Sequence, residues 1–314
     1  MKRLNLGVLR LTPLFLLVVG VSALVAQTPA PRGQQAQGQR GQPPAGQAAR
    51  AQDEPFPPHR IADNLFYVGS KDYGSFLITT SEGLILINSS YERTVPFIRG
   101  SIEKLGYKFS DVKILLTSHA HVDHVAGTAE VVKQTGAKVY VMDADEEIVR
   151  TGGEGDFNYN VKWPPARVDH ILHDKEEVKL GAAVLVANKT PGHTKGCTSW
   201  SMKVTDGGKT YNAVIICSIS INNFALVNNA KYPSIADDYR QTFKALKAMP
   251  VDIYLGAHPN VYGLAEKYAR LEKGATENVF VDPKGFTAFI ERGEKSFNAE
   301  FEKQRAAAAS AGKD

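Results

Sequence analysis

The stretch Thr117-Ser118-His119-Ala120-His121-Val122-Asp123-His124-Val125-Ala126-Gly127 decides how this chain is read. It follows Val112–Leu116, a continuous apolar run of the kind that forms a buried strand, and it leads into His124–Gln134, which has helical spacing. Three imidazoles and a carboxylate therefore fall within six residues at a strand-to-helix junction. His119 and His121, two apart on extended backbone, project to the same side, while Asp123 and His124 stand where the chain turns into the helix. One loop can thus serve two adjacent metal ions. Zinc takes neutral imidazole nitrogens and carboxylate oxygens, and a catalytic zinc keeps three protein ligands and one open position. The loop is two ligands short of two such sites. His193, in Thr190-Pro191-Gly192-His193-Thr194, and His258, in Gly256-Ala257-His258-Pro259, each follow an expected strand and adjoin glycine or proline. Both are expected on loops at the same rim.

Outward from this motif the chain alternates strand and helix. Leu65–Val68, Phe76–Thr79 and Leu84–Asn88 are short β-rich runs broken by turn residues, as in an antiparallel meander. Thr94–Leu105 has helical spacing and Lys138–Met142 reads as a strand. The second half repeats the order loosely: strands near Val184–Ala187, Ser199–Val204 and Ala213–Ile216, a helix Ile235–Ala248, a strand Asp252–Leu255 and a terminal helix from Pro283. Two sheets covered by helices, an α/β fold of the αβ/βα four-layer sandwich type, fit this order.

The ends of the chain read differently. Lys2, Arg3 and Arg10 precede or open an uncharged apolar run, Leu11–Ala26, that ends in small residues, the pattern of a secretory signal peptide over 1–26. That run is shorter than the roughly 20 residues of a spanning helix and contains Pro13 and Gly20. Residues 27–53 are almost wholly Gln, Ala, Gly, Pro and Arg and are expected to form a disordered linker. One catalytic domain is expected over 54–305 and a flexible Ala-rich tail over 306–314. Removing residues 1–26, which hold no acid, takes the net charge from +4 to +1, so nothing points to nucleic acid. A periplasmic or secreted monomer, free of the membrane once the signal is cut, is the expectation.

The order His-x-His-x-Asp-His, then a Pro-Gly-His-Thr turn, then Gly-x-His-Pro resembles the metallo-β-lactamase superfamily over nearly the whole domain. The resemblance implies that His119, His121 and His193 hold one Zn2+ and that Asp123, His124 and His258 hold a second. His59, His170 and His173 match no ligand position and read as surface or structural residues. Many relatives place an aspartate between the metals at the end of the strand after the Pro-Gly-His turn. Here that strand end reads Ile216-Cys217-Ser218-Ile219-Ser220, without a carboxylate. The first subclass of the β-lactamases uses a cysteine near Cys217, whereas the third has a serine, similar to Ser218, and a second histidine from the first motif, similar to His124. Pro164-Pro165-Ala166-Arg167-Val168-Asp169 and Lys231-Tyr232-Pro233 also look like the third subclass. The implied activity is opening of the β-lactam ring of penicillins, cephalosporins and carbapenems by a zinc-bound hydroxide, conferring antibiotic resistance, with Asp123 as the catalytic carboxylate. Ser218 and Ser220 would bind the substrate carboxylate, and the loop Gly152–Pro164, with Phe157, Tyr159 and Trp163, would cover its apolar part. Hydrolysis of another ester, lactone or phosphodiester on the same metals is the alternative.

The two cysteines, Cys197 and Cys217, read as a disulfide. Export favours oxidation, and an even pair in a secreted protein is more often bridged than free. Thr198–Val204 and Tyr211–Ile216 flank Asp206-Gly207-Gly208, and a hairpin with that three-residue loop sets Cys197 opposite Cys217. A free Cys217 thiolate on zinc is the competing reading.

Overall fold

The computed structural model describes residues 54–311, all within one compact unit. The signal peptide and linker expected over residues 1–53 lie outside the described residues.

The first sheet begins as a meander, β1 (His59–Ala62), β2 (Leu65–Tyr67), β3 (Phe76–Thr80) and β4 (Gly83–Ile87), each antiparallel to the next. Strands β5 (Val112–Leu116), β6 (Lys138–Met142) and β7 (His170–Leu172) then add in parallel, giving the order β1 to β7. Parallel neighbours need crossovers, and helices α1 (Val95–Lys104), α2 (Val122–Val125), α3 (Thr128–Thr135) and α4 (Glu146–Thr151) lie in those connections. The second sheet runs β12-β11-β10-β9-β8. Its strands β8 (Glu176–Leu180), β9 (Ala183–Lys189), β10 (Thr198–Asp206) and β11 (Lys209–Ile216) are antiparallel. Helix α5 (Ile235–Lys247) crosses over to β12 (Ile253–Gly256), which pairs parallel with β11. Helices α6 (Leu264–Glu272) and α7 (Pro283–Ala311) close the chain.

Side-chain alternation explains the layers. Ile85 and Ile87 of β4, and Ile114 and Leu116 of β5, share one core with Trp200, Met202 and Val204 of β10, between the sheets. Their in-between neighbours Leu84, Leu86 and Leu115 face the opposite side, against Val95, Ile98 and Ile102 of α1 and Val131 of α3. On the second sheet, Tyr239, Phe243 and Leu246 of α5 and Phe286, Ile290 and Phe297 of α7 supply the covering apolar face. The expected αβ/βα sandwich is the observed fold. Trp200 is fully buried and its Nε1 donates to the Thr117 carbonyl at 3.0 Å, so the inter-sheet core is tied directly to the residue that opens the histidine motif.

Two local expectations differ. The helix read over His124–Gln134 is two helices, the single turn α2 and then α3, because the Gly127 amide bonds the Ser90 carbonyl instead of continuing the ladder. The hairpin loop is two residues rather than three: Asp206 pairs with Lys209, and Gly207 and Gly208 both take positive φ, as a tight primed turn requires. Within the Ala-rich segment that begins at 306, α7 runs to Ala311, consistent with alanine's helix propensity. Strands β1, β7 and β8 and helices α4 and α6 went unread: they are short or charged, and their form depends on neighbours distant in sequence. Among the described residues no helix is long and apolar enough to cross a membrane.

Candidate metal centre

All six expected ligands come together at one rim. His119 follows β5, His121 precedes α2, and Asp123 and His124 lie within α2. His193 sits in the turn after β9, and His258 lies two residues past β12. The first loop is pinned from both sides: the Ser118 amide donates to Asn88 Oδ1 at 2.8 Å, and the Thr198 amide donates to the Ser118 carbonyl at 2.7 Å.

His119, His121 and His193 converge as one metal-competent group, with His121 Nδ1 3.1 Å from His193 Nε2. In the second triad, Asp123 Oδ2 lies 3.3 Å from His124 Nε2 and 3.5 Å from His258 Nε2, and those two nitrogens are 3.3 Å apart. Three donors on a tetrahedral zinc at about 2.1 Å stand about 3.4 Å from one another. The second triad has that spacing on every edge. The two groups adjoin, since the His119 and His124 rings are 4.3 Å apart.

The tautomers point the same way. His193 Nδ1 donates to the Ser220 carbonyl at 2.8 Å and His258 Nδ1 to the Asp72 carbonyl at 3.1 Å, so each ring's Nε2 carries a bare lone pair towards its neighbours. His119 Nε2 is buried without a hydrogen-bond partner. Lone pairs facing one another repel, and a buried unsatisfied nitrogen costs about 1–3 kcal/mol, so this donor set fits metal binding and not an apolar core. Burial, reinforced by the neighbouring imidazoles, holds His119 well below the usual histidine range. Burial lowers His121 to about 4 against the opposing pull of Asp123, and it lowers His193 and His258 as well. Burial alone would raise the Asp123 carboxyl, but His124 and His258 outweigh it and leave the group below its ordinary value. Near neutral pH His119, His121, His193 and His258 thus present neutral imidazoles and Asp123 a carboxylate, the forms a metal requires.

Cys197 and Cys217 are joined in a disulfide, with Cα atoms 5.8 Å apart. The observed register would not oppose them: the ladder ends at the Trp200–Ile215 pair, and the bridge lies beyond it, where Thr198 pairs with β9. Cys217 Sγ lies 3.4 Å from His119 Nδ1, behind the first triad, and a bridged sulfur offers no thiolate to a metal.

A cavity of about 290 Å³ opens over both triads, lined among others by Tyr91, Tyr159, Val161, Trp163 and Asn222. Tyr159 sets its ring against His121, with centroids 4.8 Å apart, while Phe157 turns away to pack on Phe224 and Tyr232. Neither Ser218 nor Ser220 lines this cavity; Ser218 Oγ accepts from the Ser220 amide at 3.2 Å, and Ser220 serves the site through its carbonyl. Sequence reasoning passed over Asn222, farther along the same loop, and Asp156, whose Oδ2 is 3.7 Å from His121 Nε2. Neither carries a spacing signal. Of the remaining histidines, His59 is buried among Phe56, Tyr67, Tyr268 and Phe280, whereas His170 and His173 are exposed beside Glu176 and Asp143.

Comparison with known proteins agrees with this geometry. The family model of the metallo-β-lactamase superfamily matches residues 75–258. The solved FEZ-1 metallo-β-lactamase of Legionella gormanii is 51% identical, with a TM-score of 0.79 over 80% of this chain and 98% of that one. BJP-1, a subclass B3 metallo-β-lactamase of Bradyrhizobium japonicum, is 36% identical, with a TM-score of 0.77 over 83% and 99%. A hydroxyacylglutathione hydrolase of Fuscovulum blasticum is 34% identical over 91 residues, 29% of this chain. The chain spans between 28% and 43% of the length of the curated relatives it matches. With the family model covering more than half of its length and a sandwich shared with solved members, the chain belongs to the metallo-β-lactamase superfamily.

Proposed function

We propose that this protein is a secreted dizinc hydrolase that opens the β-lactam ring of penicillins, cephalosporins and carbapenems and so confers resistance to them. The observation that carries the proposal is the convergence of six candidate ligands as two three-donor groups beside one cavity. Zinc bound there supplies Lewis acidity and activates water near neutral pH. This chain's residues do the rest. His193 and His258, held by the Ser220 and Asp72 carbonyls, keep fixed tautomers, and Asp123 provides the one negative charge in the ligand set. Tyr159, Val161 and Trp163 wall the cavity and exclude water from the apolar side of a bound ring. Asn222, which lines the cavity, is proposed to hold the substrate carboxylate in place of the expected Ser218 and Ser220, which stand behind it on the same loop. No side-chain nucleophile is required.

The partial likeness to hydroxyacylglutathione hydrolases supports a second reading, thioester hydrolysis on the same metals. Against it, Cys217 is bridged and Ser218 follows it, so the strand end offers no carboxylate between the metals. Turnover of nitrocefin and imipenem, measured with and without added zinc beside a lactone, a glutathione thioester and bis-p-nitrophenyl phosphate, decides between them. Fast zinc-dependent β-lactam turnover is expected; preference for another substrate in that panel overturns the proposal.

A further inference from the structure

Asp145, three residues beyond the strand β6 and at the start of α4, is 2% exposed, and among the described residues no lysine or arginine pairs with it. Its carboxylate is spent on two segments far apart in the chain. Oδ2 accepts from the Ala120 amide at 2.9 Å and from Thr194 Oγ1 at 2.7 Å, while Oδ1 accepts from the Gly196 amide at 2.8 Å. Ala120 stands between His119 and His121, and Thr194 follows His193. Residue 196 is compatible only with glycine, since a Cβ there would come within 2.7 Å of Asp145 Cγ.

We infer that Asp145 is a positioning residue that ties the His119–His121 loop to the His193 turn and so assembles the first metal triad. The 3.1 Å approach of His121 Nδ1 to His193 Nε2 spans the two segments Asp145 joins. Metal–ligand distances tolerate about 0.2 Å, so a slip of one segment against the other by several tenths of an ångström removes a ligand. Charge adds to position: a buried carboxylate without a cation of its own sits behind a site built to hold cations. The second triad draws on His258, which Asp145 does not touch, so the effect belongs to the first site.

The inference rests on the reading of His119, His121 and His193 as one metal's ligands, and its test separates the two. Zinc affinity of the full chain is measured by competition with a chromophoric chelator for Asp145→Asn and Thr194→Val, each placed in a His258→Ala background and in a His193→Ala background. With His258 removed, Asp145→Asn should weaken zinc by about tenfold or more and Thr194→Val by about threefold. With His193 removed, neither should change affinity by more than about twofold, because the segments then hold no shared triad. Equal affinities with and without the substitutions in the His258→Ala background overturn the inference alone, as does an equal loss in both backgrounds, which marks a general structural role. A His258→Ala parent that binds no zinc overturns the triad itself. Should Asp145→Asn fail to fold, Thr194→Val, which removes a single hydrogen bond, decides by the same comparison.

Discussion

At the scale of single residues, the site depends on charge balance and on neutral imidazoles. Asp123 is the sole carboxylate among the six proposed ligands, and its Oδ2 forms two edges of the second triad. Asp123→Ala should lose the second zinc and lower turnover by more than about a hundredfold; wild-type rates with two zincs in that variant would remove its role. His59 offers a pH prediction away from the metals. Burial lowers it to about 4, although the Pro57 carbonyl, 2.8 Å from Nδ1, pulls the other way. Because the folded value lies below the unfolded 6.5, the unfolded chain binds the extra proton between those values. The stability it preserves is complete above pH 6.5 and is lost as pH falls towards 4, by about 3 kcal/mol at the limit. Denaturant unfolding of the wild type and His59→Phe at pH 7 and pH 4.5 checks this: the wild type should lose more stability on acidification, and equal losses would refute it.

At the scale of elements, the β10–β11 hairpin shows how a correct contact can follow from an incorrect register. The Gly207-Gly208 turn sets the ladder one residue away from the pairing that would oppose the cysteines, yet the strand ends part beyond Trp200 and bring Cys197 and Cys217 together. The bridge closes a loop across 20 residues of sequence, which constrains the unfolded chain by roughly 3 kcal/mol. Urea unfolding of Cys197→Ser/Cys217→Ser should show that loss, and thiol titration of the denatured, unreduced protein should find no free thiol. Two free thiols would return Cys217 to the metal chemistry. The same bridge links the strand that follows His193 to the strand end that leads to Ser220, whose carbonyl holds both His193 Nδ1 and the Tyr239 hydroxyl, at 2.8 and 2.6 Å.

At the scale of the whole molecule, two sheets bring strand ends separated by more than a hundred residues to one rim, and two metals should bind there. Elemental analysis is expected to find two zincs per chain, with EDTA abolishing turnover and zinc restoring it. β-Lactam turnover should also resist clavulanate, because the proposed reaction passes through no serine acyl-enzyme. One zinc at full activity, or a covalent adduct seen by mass spectrometry, would contradict this. The chain's own order was enough to pick out six candidate ligands that the fold brings to one rim, since His119 to His124 crowd one junction and His193 and His258 sit in turns after strands. It was enough, too, for the strands and helices with strong periodicity, such as Val112–Leu116 and Ile235–Lys247, because period and burial are local properties. Asp145, Asp156 and Asn222 act through neighbours tens of residues away, and the hairpin register, β7, β8 and the edges of the cavity depend on what packs against them. Only the tertiary structure decided those, because a lone carboxylate or a short charged strand has no period of its own and takes its meaning from the groups that folding sets beside it.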